Sequence, residues 1–124
     1  MKLELIDPPR EFIAGRGNLV QKDCARILLE PEEQVTFLTE SGGEYDLARK
    51  SWGFYATPSL NGRLIRYGLR AVLVRGPEDK FYLHLVESGR EEEHRRYLEQ
   101  QGMIVVCWLD RTEALIELAG KVSS

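Results

Sequence analysis

The sequence predicts an α+β protein, a single domain over residues 1–124 built mostly on antiparallel, mixed β-sheet with about three helices. Three observations predict it. In the first half, apolar residues alternate at period two between turn signals. In the second half, strand-like apolar runs are interrupted by stretches of helical spacing, giving the order β-β-α-β-α. No repeat, low-complexity stretch or linker divides the chain.

Residues 1–20 read as an extended lead-in, punctuated by Pro8-Pro9 and by Gly15-Arg16-Gly17-Asn18. The apolar run from Cys24 to Leu29 stops at Glu30-Pro31 and reads as a first strand. Over 34–39, Val35 and Phe37 alternate with Thr36, and Ser41-Gly42-Gly43 turns the chain into a short strand over 44–47, a hairpin. Residues 52–56 form a further extended piece. Thr57-Pro58-Ser59 signals a helix start, because threonine caps and proline at the first helical position gives up only an N–H without a helical partner. Leu60, Leu64 and Tyr67 continue it at helical spacing, so a helix is predicted over 58–67, closed by Gly68.

The next two strands, 69–75 and 80–87, are joined through Gly76-Pro77-Glu78-Asp79 as an antiparallel hairpin. Ser88 and Glu91 have capping-box spacing and open a helix to about Gln101. Its exposed face carries Glu91/Arg95 and Glu92/Arg96, and its apolar stripe is thin, Tyr97 and Leu98. Met103 to Leu109 is continuously apolar, which places it in the middle of a sheet with both faces covered. Asp110 and Glu113 repeat the capping box and open a last helix with Leu115, Leu118 and Ala119 facing inward.

Composition bounds the function. The chain is 43% hydrophobic and 30% charged, long enough to bury a core without metal or disulfide staples. Seventeen Lys and Arg stand against twenty Asp and Glu, a net charge of −3, which argues against a nucleic-acid coat protein. No apolar run approaches the length of a membrane span, and residues 1–20 hold no apolar signal core, so cytoplasmic residence is expected. Cys24 and Cys107 lie in apolar strand-like runs and are expected as buried thiols. Neither belongs to a CxxC, and His84 and His94 share no metal-like spacing with them, so no metal and no cofactor is predicted.

The most informative feature is charge segregation. From Arg49 to Arg75 there are six cations (Arg49, Lys50, Arg63, Arg66, Arg70, Arg75) and no acid. Trp52, Phe54, Tyr55 and Tyr67 interleave with them, and the predicted helix starts in the same stretch. An anionic ligand site follows, for a phosphate, nucleotide or nucleotide-sugar. Arg49, Lys50, Arg63 and Arg66 supply charge, Ser59 and Asn61 directional hydrogen bonds, and Trp52 and Tyr55 a stacking surface. The plainer reading makes the cations a solvated face paired with acids elsewhere, and the aromatics core.

Other candidates carry less chemistry. Gly15-Arg16-Gly17-Asn18 lacks the Gly-Lys of a phosphate loop and reads as a flexible turn. Asp23, Glu40, Glu44 and Asp46 are scattered near strand ends, and His84 shares a strand face with Tyr82 and Val86 as a sheet histidine. His94 reads as packing at a helix edge. No nucleophile elbow or HExxH is present, so these motifs assign no catalytic residue and leave open whether the protein is an enzyme.

The segments LEPEEQVTF (29–37), EYDLARK (44–50) and WGFYATPSLNGRL (52–64), with CWLD (107–110), resemble a set of small uncharacterised bacterial proteins. These are encoded near genes for surface-polysaccharide or flagellar glycosylation. The resemblance spans roughly residues 20–110, implies no established activity, and tilts the expected ligand toward a nucleotide-sugar or acidic sugar. The leading expectation is an accessory domain binding an anionic small molecule. The alternatives are an oligomeric or protein-interaction subunit and a small enzyme on a phosphorylated or sugar substrate, with Asp46 or Glu44 as base. Single-stranded RNA is disfavoured by the acidity and by the lack of a recognition motif.

Overall fold

The computed structural model describes residues 1–123, and the chain is α+β with antiparallel sheets. It divides into two compact units, residues 1–36 with 46–57, and residues 37–45 with Pro58 onward. Among the described residues no helix is long and apolar enough to cross a membrane.

The first unit opens with a long ribbon, β1 (Lys2–Ala14) paired antiparallel to β2 (Leu19–Leu28). The expected lead-in is therefore strand. Its prolines hid this: the register passes from Leu5 opposite Ala25 to Arg10 opposite Asp23, and Pro8-Pro9 sit in that bulge, where no ladder hydrogen bond is lost. The turn at 15–18 needs a left-handed backbone at Gly15, Gly17 and Asn18 (φ 70°, 83° and 56°), which glycine and asparagine adopt at least cost. Cys24 is exposed rather than buried, and both cysteines are free thiols.

A second sheet has the order β3 (Gln34–Leu38), β4 (Glu44–Lys50), β5 (Gly53–Ala56). The predicted turn closes with Thr39 N–H donating to Gly43 O (3.0 Å) and Gly43 N–H to Thr39 Oγ1 (2.8 Å). In the first unit β4 buries Ala48 and Asp46, and the Thr36 hydroxyl donates to Asp46 Oδ1 at 2.7 Å.

The second unit contains α1 (Arg63–Arg66), β6 (Leu69–Arg75), β7 (Phe81–Glu87), α2 (Glu91–Gln101), β8 (Ile104–Trp108) and α3 (Thr112–Val122). Its sheet order is β7-β6-β8, so β6 is central and β8 is an edge, not the covered middle strand that its apolar run predicts. Register separates the faces. Val72, Val74 and Val86 face α2 and pack with Leu98, Met103 and Trp108. Leu69, Ala71 and Leu85 face the other way and pack on Leu64, Leu60 and Tyr45.

The helix expected over 58–67 shrinks to four residues. Residues 59–62 form a turn in which Ser59 Oγ takes the Arg63 N–H (2.8 Å) and Ser59 O takes those of Gly62 and Leu64. A serine that bonds nearby backbone and an Asn-Gly pair of poor helix formers favour that turn over a full helix. The two capping boxes also do not form. Arg90 and Arg111 occupy the N-cap positions, without side-chain caps. Glu91 accepts the Gly89 N–H (2.6 Å), and Asp110 is held by Arg70.

Candidate functional site

The structure distributes the predicted anion-binding residues over both units. Arg49, Lys50, Trp52 and Tyr55 belong to the first, and Ser59, Asn61, Arg63 and Arg66 to the second. Lys50 pairs with Glu32 at 2.8 Å. Trp52 is exposed, and Tyr55 lies opposite Ala48 in the β4–β5 ladder. Ser59 is engaged in its turn, Asn61 Nδ2 donates to Thr112 Oγ1 (3.1 Å), and the Arg63 guanidinium lies over the Tyr67 ring at 5.6 Å. Arg66 is exposed. With α1 only one turn long, the N-terminal dipole expected beside these cations is not built. Two further cations of the segment are also paired, Arg70 with Asp110 and Glu91, and Arg75 with Asp79. Three of the six cations visible in sequence are thus matched by acids, Arg75 by Asp79 four residues on, and Lys50 and Arg70 by acids 18 to 40 residues away.

The carboxylates considered as a base are placed differently. Asp46 is only 7% exposed and accepts from Thr36, whereas Glu44 is half-buried and its backbone N–H donates to Tyr67 O at 3.1 Å.

Sequence reasoning missed the association of Arg70, Trp108 and both histidines. Arg70 forks onto Asp110 (Nε to Oδ2 2.6 Å, Nη2 to Oδ1 3.3 Å), reaches Glu91 (3.2 Å), and lies 4.1 Å over the Trp108 ring. It thereby ties β6 to the chain after β8 and to the start of α2. The Asp110 hydrogen bond stabilises the guanidinium charge, so its pKa rises. Beside it, His84 Nδ1 and His94 Nε2 lie 2.9 Å apart with edge-to-face rings, against Tyr97 and Trp108. Register alone predicted that His84 faces α2; no spacing rule links a strand residue to a helix residue ten positions on.

Burial lowers the pKa of both histidines, and His94 is lowered further by His84. The folded state therefore binds fewer protons than the unfolded chain just below the ordinary histidine pKa, and stability rises with pH there. It is complete above that pKa and declines as pH falls toward the depressed folded values. Calorimetry should show a lower Tm at pH 5 than at pH 7.5. His84→Gln/His94→Gln should flatten that difference. The cluster borders a cleft of about 290 Å³ lined by Glu92, His94, Arg95, Val105 and Trp108. Among the described residues, no three His, Cys, Asp or Glu side chains are grouped to hold a metal.

The largest departure from expectation is uncovered apolar surface. On the side of the β7-β6-β8 sheet away from α2, Leu85 is packed, but Phe81, Leu83 and Ile104 are 54%, 54% and 61% exposed. Helix α3, expected to turn Leu115, Leu118 and Ala119 inward, buries none of its residues; only Leu115 of the three is half-covered. Its Ile116 and Val122 are also open. A continuous apolar strand and an amphipathic helix both signal burial, but their cover is not supplied by this chain.

Compared with protein-family models, with curated proteins and with solved structures, the chain matches none.

Proposed function

We propose that this protein is a self-associating interaction subunit, which completes its hydrophobic core against a second copy of the same chain. The observation that carries the reading is the open half of the β7-β6-β8 sheet, where Phe81 and Leu83 on the edge strand β7 and Ile104 on the other edge strand, β8, are exposed. An edge strand leaves unpaired backbone groups, and apolar side chains beside it favour addition of another chain.

A net charge of only −3 leaves little repulsion to oppose self-association. The anionic-ligand reading has less support, since Ser59, Asn61 and Lys50 are engaged within the chain.

Sedimentation velocity of the full chain tests the proposal. The expected result is a species of at least twice the 14.2 kDa chain mass at micromolar concentration. It should persist in molar salt, because apolar contacts are not screened. A monomer at every concentration overturns the reading.

A further inference from the structure

We infer that the N-terminal β1–β2 ribbon is the arm through which two copies meet, packed face to face about a two-fold axis at the Arg10–Asp23 pair. This rests on the self-association proposed above and adds to the open sheet face a contact made by the first unit.

The register defines the two faces of the ribbon. Residues paired across an antiparallel ladder share a face, and that face recurs every second residue. One face therefore carries Leu3 opposite Ile27 and Leu5 opposite Ala25 at the base, Arg10 opposite Asp23 at the middle, and Phe12 and Leu19 toward the tip. The Arg10 guanidinium lies 4.8 Å from the Phe12 ring and 3.5 Å from Asp23, as a shared face requires. The opposite face sets Glu4 across from Arg26 and Glu11 across from Lys22, with Ile13 and Val20 at its tip. The first face thus has two apolar clusters flanking one ion pair, yet Leu3, Leu5, Phe12, Leu19 and Ile27 are all exposed, Leu5 at 72%. An isolated two-stranded ribbon is marginal in water and needs its apolar face covered.

Charge and symmetry select the cover. A two-fold contact brings one patch against itself, so residue i meets j and j meets i. An axis lying in the contact plane along the strands lays the base cluster of one copy on the base cluster of the other, and tip on tip. It also sets each Arg10 against Asp23 of the second copy, so four alternating charges close a ring. The ribbon from Lys2 to Leu28 holds five cations and four acids, close to neutral, and two ribbons meet without net repulsion.

The test uses two charge reversals in the full chain, Arg10→Asp and Asp23→Arg. Each leaves its own ribbon with like charges at an exposed pair, a small perturbation to folding. Each should weaken self-association at least about tenfold in sedimentation equilibrium, because four like charges then meet at the axis. An equimolar mixture of the two variants should regain dimers, since one face presents carboxylates and the other guanidinium groups. Repulsion inside each ribbon persists in the mixture, so recovery reports the contact between copies alone. Circular dichroism and melting of each variant show that the chain remains folded. An oligomeric wild type indifferent to either reversal, or variants that stay dissociated on mixing, overturns the ribbon contact and leaves the proposed function standing. A monomeric wild type overturns both.

Discussion

Replacing Leu83 and Ile104 together by glutamate should dissociate the assembly while leaving the single chain folded. Each side chain is more than half exposed in the isolated chain, so a carboxylate there stays hydrated and costs little. Against a second copy, the same carboxylates would be taken out of water without a partner, which costs several kcal/mol. Self-association should weaken by at least about a hundredfold, read as a fall in sedimentation mass with an unchanged circular dichroism spectrum. The volume-conserving pair Leu83→Met/Ile104→Val should keep the wild-type mass. If the glutamate variant keeps its mass, the open face of β7-β6-β8 is not the contact.

Leu64→Ala should be the most destabilising single truncation of the second unit. Leu64 is fully buried, and it packs with Leu69 and Ala71 beneath Tyr45, Leu60, Leu85 and Leu109. Removing it subtracts transfer energy and leaves a cavity, about 3 kcal/mol together, which lowers Tm by roughly 10 °C in a chain of this size. The neighbouring Ile65→Ala, at an exposed position, should change Tm by much less. Helix α1 is one turn long and cannot persist through its own hydrogen bonds, so Leu64 is what holds it. Thermal denaturation of the two variants side by side checks this. Equal effects would mean that α1 does not anchor the core.

These residues also show why parts of the molecule were legible before the structure. The hairpin 69–87 was readable because Gly76-Pro77-Glu78-Asp79 separates two apolar runs, and its strands lie within one residue of the predicted ends. Helix α2 was readable from its charge spacing and from Gly102, whose φ of 68° ends it. The ribbon was half hidden: Leu3 and Leu5 alternate correctly, but Pro8-Pro9 shift the parity, and only the pairing with β2 shows that Phe12 rejoins the same face. The helix predicted over 58–67 is cut to Arg63–Arg66, because Thr57-Pro58 signals a helix start whether or not Ser59 captures the Arg63 N–H for a turn.

The candidate site was legible in its composition and not in its arrangement. The six cations between Arg49 and Arg75 are a property of the chain, but Glu32, Asp110, Glu91 and Asp79, which pair with three of them, lie up to 40 residues away. The same is true of His84 and His94, brought together by the packing of α2 on β7.

What the amino-acid order determined by itself is local. Turns, strand periodicity, helix stops and the α+β class depend on steric preference and hydrophobic alternation among residues a few positions apart. Tertiary structure alone decided which apolar faces are covered. Met103–Leu109 and the stripe of α3 carry the same burial signal as the true core, because hydrophobicity records that a surface avoids water without recording what covers it. In this protein Val72 and Val74 are covered by α2, whereas Phe81, Leu83, Ile104 and the ribbon face are left open by the chain's own packing.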